Sequence, residues 1–249
     1  MEIKFLQKKP FYIFMIENFL DEREYQLLYE NFPNEILEKK IPDNGNKYRF
    51  NLSDKEFELL SKKKKISLKI LEKLFNEEIC IDLINKLKKE LFVSRLVNFR
   101  YIFSLLRKPK ITNTQPKKNL FHKLFYSYFE RNFEFSCMKR DSFIQPHTDK
   151  KTKLLSLMLY FPSKNLENLE IGTTFYKSNI KNFNNKAMDL FSKENKSFFD
   201  ENFKETVTFP FKRKNLYCFI KSDLSWHAVK KLDIPSNENR NSININIKI

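Results

Sequence analysis

Glycine is nearly missing from this chain: its 249 residues include only Gly45 and Gly172. A phosphate-cradling loop needs several closely spaced glycines so that backbone N–H groups can approach the anion, and nucleotide-binding folds of that kind are therefore excluded. Cysteine is scarce as well. Cys80, Cys137 and Cys218 are odd in number, have no paired spacing and sit in or beside apolar runs. That is the setting of buried free thiols rather than of a disulfide framework, and it sets the expectation of a reducing, cytoplasmic environment. No apolar stretch approaches the roughly 18 to 20 residues that span a bilayer. The opening run "FYIFMIENFL" is broken by Glu17 and lacks a small-residue cleavage site, so neither a secretory signal nor a membrane partner is expected. Repeats are absent too, and the only compositional bias is toward lysine.

Charge of one sign is in excess. Lys+Arg 47 against Asp+Glu 31 gives a formal +16, which ordinarily points to a polyanionic partner. Here the lysines run the whole length of the chain among Asn, Ile and Phe, and the one dense cluster is Lys62 to Lys65. A solvated lysine surface is the expectation, and nucleic acid is not expected as a partner. With 41% hydrophobic and 15% aromatic residues the chain can bury a sizeable core, and one compact unit is expected over 1–249.

Within it, Phe11 to Phe19 reads as a strand, and Asp21 with Glu24 forms a capping box opening a helix in which Tyr25, Leu28, Tyr29 and Phe32 recur at helical spacing until Pro33. "NKYRFNL", Asn46 to Leu52, reads as a second strand, Ser53 opens a helix through Leu60, and Ile66 to Leu96 is again helical, with Ile81, Ile84, Leu87 and Leu91 on one face. Residues 1–106 are thus a strand with helical support, and 107–118, "RKPKITNTQPKK", is an exposed connection. Over 119–249 the pattern changes to short β-prone runs: "FEFSCM", "KLLSLMLYF", "ETVTFPF", "NLYCFI" and "SININIKI". The fold class expected is α+β with a mainly β core, a jelly roll carrying packed N-terminal helices. In the last run Ser242, Asn244 and Asn246 alternate with Ile243, Ile245, Ile247 and Ile249, so the isoleucines face the helices and the polar face looks into a cavity.

Candidate chemistry centres on "IQPHTDKK", where His147 and Asp149 are two residues apart. At a strand end such residues point the same way and can reach one ion. A second imidazole completes a facial triad that leaves coordination positions open, the arrangement of non-haem Fe(II) oxygenases. His227, in the apolar run "SWHAV", is the candidate; the remaining histidine, His122, reads as a helix-surface or packing residue. Arg240 opens the alternating strand with the same parity as Ser242, and the two can hold a carboxylate by bidentate and hydroxyl hydrogen bonds. An iron with an anionic co-substrate is the implied site.

"RDSFIQPHTDKKTKLLSLMLYF", "IGTTFY", "NLYCFIKSDLSWHAV" and "RNSININI" resemble the Fe(II)- and 2-oxoglutarate-dependent dioxygenases, in particular their prolyl 4-hydroxylase-like branch. The likeness runs from about Phe133 to the last residue, and "PFYIFMIENFLDEREYQLLYENFP" is similar to the strand and helix that precede the core in many members. The resemblance implies a double-stranded β-helix (jelly roll, cupin-like) in which His147, Asp149 and His227 bind Fe(II). Arg240 and Ser242 would hold the distal carboxylate of 2-oxoglutarate, and Tyr160, sharing the parity of Ser156 and Met158, would touch the same carboxylate from the cavity wall. It further implies O2 as oxidant, ascorbate as a candidate reductant, and hydroxylation of a C–H bond of a small molecule or peptide with release of succinate and CO2. A structural reading stands beside each assignment: an aromatic such as Tyr160 or Trp226 in an apolar strand commonly just packs. Among departures from the family pattern, Asn215 replaces a turn glycine, a place where Asn tolerates left-handed backbone angles. Two rival readings are a nucleic-acid oxidative demethylase, a branch whose pattern has a second arginine six places after the first, where this chain has Asn246, and a jelly-roll binding domain without catalysis. The long segment Lys177 to Glu205 is the candidate lid over a substrate.

Overall fold

The computed structural model describes residues 2–43, 45, 47–51, 62–94, 99–112, 125–182 and 186–249. The helix expected from Ser53 through Leu60, and His122, lie outside them. Strands β1 (Lys4–Gln7) and β2 (Ile13–Ile16) lead into α1 (Glu22–Glu30) and the short α2 (Asn34–Leu37). Then come β3 (Lys47–Asn51), helices α3 (Lys62–Leu74), α4 (Glu77–Lys86), α5 (Lys88–Ser94) and α6 (Phe99–Leu106), and β4 (Lys108–Thr112). Strands β5 (Tyr126–Met138), β6 (Ile144–His147), β7 (Lys153–Phe161) and β8 (Thr174–Lys177) follow. After α7 (Lys193–Asn202) the chain closes with β9 (Lys204–Thr208), β10 (Leu216–Ile220), β11 (Trp226–Val229) and β12 (Arg240–Lys248).

Helices α1, α4 and α7 start where a side chain satisfies a free N–H group. Asp21 Oδ1 accepts from Glu24 N at 2.7 Å while Glu24 Oε2 accepts from Asp21 N at 3.2 Å, the reciprocal capping box read from the sequence. Asn76 caps α4 one way only, its Oδ1 accepting from Ile79 N at 2.8 Å. The buried face of α1 carries Tyr25 and Leu28, and Tyr25 stacks on Phe161 of β7 with 5.8 Å between ring centroids.

Two sheets build the core. The larger runs β1-β2-β10-β7-β12-β5-β3 with β4 added beside β5; the smaller runs β6-β11-β8-β9. From β5 onward the chain passes repeatedly from the larger sheet to the smaller and back, which is consistent with the jelly roll expected from the sequence. The period of two sorts side chains between layers. Leu155, Leu157 and Leu159 of β7 and Ile243, Ile245 and Ile247 of β12 pack against the helices, together with Leu28, Leu83, Ile84 and Leu91. Met158, Tyr160, Tyr217 and Phe219 point the other way, into a second cluster with Phe175 and Phe209 of the facing sheet side. A third, small cluster seats Phe199 and Phe203, from α7 and its end, on Trp226 and Tyr176. Gly172 lies where the backbone of Phe209 comes so close that an added Cβ would sit 2.2 Å from its carbonyl oxygen, so no larger residue fits.

The structure corrects two local expectations. Lys108–Thr112, read as part of an exposed connection, is a strand in parallel pairing with the start of β5. The left-handed residue at the turn before β10 is Lys214, with φ 66°, and not Asn215; the Asn215 side chain instead accepts from Asn18 N at 3.0 Å. Cys80, Cys137 and Cys218 are free and buried, as expected, and burial pushes the Cys80 and Cys137 thiols up to about 11. No helix among the described residues is long and apolar enough to cross a membrane.

Candidate metal centre

His147 ends β6 and His227 lies on β11, and the antiparallel register sets them directly opposite each other, with 4.3 Å between ring centroids. Asp149 follows two residues beyond the strand end. One ligating atom from each of His147, Asp149 and His227 lies within 4.8 Å of the others, so the sequence-predicted triad converges. Asp149 and His227 are buried and His147 is half-buried.

Hydrogen bonding fixes how these groups are presented. His147 Nδ1 lies 2.9 Å from Gln145 O, and His227 Nδ1 lies 2.9 Å from Ser225 O. A carbonyl oxygen only accepts, so each Nδ1 carries the proton and each Nε2 keeps its lone pair for a cation; this is how backbone groups orient metal-binding histidines. Asp149 Oδ2 accepts from Ser156 Oγ at 2.8 Å and stands 4.0 Å from His227 Nε2, while Oδ1 accepts from Lys153 Nζ at 2.7 Å. Burial lowers the His227 imidazole to about 3, the neighbouring His147 adding to the effect and Asp149 opposing it. Burial lowers His147 as well, against the pull of Asp149. On Asp149 burial acts upward, but Lys153, His227 and His147 outweigh it and hold the carboxyl well below the usual range. Two neutral imidazoles and one carboxylate on one side of a shared point fit a divalent first-row cation with open positions.

The centre opens on a cavity of about 970 Å³. Its floor is the inner face of the larger sheet, with Ser156, Met158, Asn244 and Asn246, and the segment carrying Ala187, Asp189 and Phe191 forms one wall. Met188 N donates to Pro146 O at 2.8 Å, which ties that wall to β6.

The remaining predicted residues lie deeper. Arg240 is buried; its Nε donates to Ile171 O at 2.5 Å, its Nη1 lies 3.5 Å from Met138 Sδ, and its guanidinium lies 5.2 Å from the Tyr160 ring and 5.7 Å from that of Phe211. Among the described residues it has no carboxylate partner, and burial lowers its pKa. Ser242 Oγ pairs with Ser136 Oγ at 2.8 Å rather than standing free beside Arg240. Tyr160, expected on the cavity wall with Ser156 and Met158, lies behind it: its hydroxyl accepts from Thr173 N at 3.0 Å, and Thr173 is the residue that borders the cavity. Parity along a strand gives the face of a side chain but not its depth, which is why Tyr160 lies behind the cavity wall that Met158 and Ser156 line.

The sequence reading put Ser156 on the cavity face but missed its bond to Asp149, and it missed Lys153 and the group Lys47, Arg49 and Glu134 on the cavity wall. Ser156 had a signal, being the one aliphatic hydroxyl in the apolar β7. Lys153 had none, because lysine is everywhere in this chain.

No family model matches the chain, and no curated protein does. Among solved structures the chain is similar to a Pseudomonas putida prolyl-4-hydroxylase, with a TM-score of 0.45 and 10% identity over 94% of this chain and 90% of that one. It is also similar to HygX from Streptomyces hygroscopicus, solved with nickel and 2-oxoglutarate bound (TM-score 0.48, 9% identity, 95% and 82% covered). A third similar structure is an oxidoreductase of the 2OG-Fe(II) oxygenase family from Burkholderia pseudomallei (TM-score 0.38, 10% identity, 94% and 82% covered).

Proposed function

We propose that the protein is an Fe(II)- and 2-oxoglutarate-dependent oxygenase on a double-stranded β-helix, hydroxylating an unactivated C–H bond. The observation that carries this reading is the convergence of the His147, Asp149 and His227 ligating atoms within 4.8 Å, with both imidazoles turned by backbone carbonyls to offer Nε2. Two imidazoles and a carboxylate with open positions are the donor set of non-haem iron oxygenases. When bound there, iron would supply the activation of O2 and the oxidative decarboxylation of 2-oxoglutarate to succinate and CO2.

The chain's own residues do the rest. His147 and His227 hold the ion from two facing strands, so the pairing of β6 with β11 sets their separation. Ser156 and Lys153 keep the Asp149 carboxylate ionised and aimed. Arg240 is a buried guanidinium with no carboxylate partner among the described residues, and burying a charge unpaired is expensive. An anionic co-substrate is the partner it suits, with Tyr160 beside it, its ring 5.2 Å from the guanidinium. Residues 186–191, next to the metal centre, serve as a wall that excludes water once substrate is bound.

The direct test is succinate formation from 2-oxoglutarate by the protein with added Fe(II), with and without candidate substrates. Slow turnover without substrate is expected from the wild type, and Asp149→Ala should lower it by about two orders of magnitude or more through loss of the ion. Equal rates from the two proteins would sink the reading.

A further inference from the structure

Most charges on the cavity wall are engaged with one another, Asp189 excepted. Lys47 Nζ lies 2.7 Å from Glu134 Oε1, and Lys153 Nζ lies 2.7 Å from Asp149 Oδ1. Arg49 lies between Glu134 at 3.7 Å and Asp43 at 4.0 Å, and Asp189 Oδ1 accepts from Phe191 N at 3.0 Å. What the floor leaves unfilled is neutral. Asn246 is 5% exposed, lines the cavity, and has a side-chain oxygen with no hydrogen-bond partner. Asn244 gives its Nδ2 to Glu134 at 3.1 Å, and among the described residues its carbonyl oxygen takes no hydrogen bond. These carboxamides stand two residues apart on one face of β12, about 7 Å along the strand. Asn246 is opposite Ser156, which bonds Asp149, so a group held by Asn246 lies beside the metal centre. At the rim Phe191 is 76% exposed and meets Phe143 edge to face at 5.3 Å, both rings lining the cavity.

From this combination we infer that the substrate is a neutral, polyhydroxylated ring of sugar or cyclitol type, its hydroxyl edge on Asn244 and Asn246 and its C–H face on Phe191. The inference rests on the proposed oxygenase reading, whose centre it uses. A carboxamide both gives and accepts a hydrogen bond, as a hydroxyl does, and the negative face of an aromatic ring attracts the partial positive charge of C–H groups. The most buried cations of the wall, Lys47 and Lys153, are already held by Glu134 and Asp149. A peptide has neutral amides too, and is the competing occupant that the test includes.

The test uses the whole chain loaded with zinc as a redox-inert ion. Calorimetry first reports zinc and 2-oxoglutarate binding, and saturation-transfer NMR then scans a mixture of methyl glucoside, inositol, glucuronate, glucosamine and a capped proline-containing tetrapeptide. Transfer to methyl glucoside or inositol alone is expected. Transfer only to a charged sugar or to the peptide, or to none of the probes while zinc is bound, overturns the substrate class. If zinc fails to bind while the neutral probe still shows transfer, the metal reading fails and the neutral-ring site stands. Asn246→Leu should weaken the neutral probe at least tenfold with 2-oxoglutarate affinity kept within about twofold; the reverse pattern would make Asn246 a co-substrate residue and overturn its role. Should that variant fail to fold, the exposed Phe191→Ala decides: it should weaken the probe about fivefold at unchanged melting temperature, and an unaltered affinity removes the stacking argument.

Discussion

An imidazole that ligates a cation competes with protons for the same lone pair, so its pKa sets the pH range over which the ion stays bound. Burial lowers His227 to about 3 and lowers His147 in the same direction. Zinc affinity measured by calorimetry should therefore fall less between pH 8 and pH 5 than the roughly thousandfold that two unperturbed imidazoles, at about thirtyfold each, would cost. The same shift acts on stability with a definite sign. Between pH 6.5 and about 3 the unfolded chain carries a proton on His227 that the folded metal-free chain does not, so stability is complete above pH 6.5 and falls as the pH drops through that window. The urea midpoint of the metal-free protein should fall from pH 7 to pH 4, and His227→Phe should flatten that slope. The triad was legible in sequence because few residue types ligate iron and the chain has only three histidines. Its supports were not: nothing in "HTDKKTK" says which lysine turns back to Asp149, and only the fold singles out Lys153.

At the scale of elements, the strip from β3 through β5 to β12 ties the edge of the larger sheet to its centre. Lys47 and Glu134 form a nearly buried pair across β3 and β5, and the surrounding cations Lys47, Lys153 and Arg49 outweigh burial to lower the Glu134 carboxyl to about 2. Removing one partner of such a pair strands the other charge, so Lys47→Met should destabilise the protein by about 3 kcal/mol. Replacing both, with Lys47→Met and Glu134→Gln together, should recover most of that loss; equal destabilisation by the single and double variants in urea melts would show that the two charges are uncoupled. The alternation of β12 was readable because one of its faces is purely isoleucine. β4 was not, since "KPKIT" has a proline and two lysines; it becomes a strand only because the long β5 offers an unpaired edge, where a proline without an N–H is tolerated. Local sequence does not carry that information.

For the molecule as a whole, the question is whether the N-terminal helices and the sheets answer to the metal centre as one body. Residues of α1, α4 and α5 share a continuous apolar cluster with β7, β10 and β12, and the opposite face of β7 and β12 supplies Ser156, Met158, Asn244 and Asn246 to the cavity. The same strands are thus core on one side and site on the other, and ordering the site stabilises the structure that packs the helices. A ligand that binds only the folded state adds roughly 2.7 kcal/mol at a hundredfold excess over its dissociation constant. For a chain of this size that is about 5 to 10 °C in melting temperature. Saturating zinc with 2-oxoglutarate should move a single unfolding transition upward by at least that amount, and chelation should return it. Asp149→Ala should show no response to zinc, whatever its own melting temperature. Two transitions, of which only one moved, would divide the helices from the sheets and remove the coupling through β7 and β12.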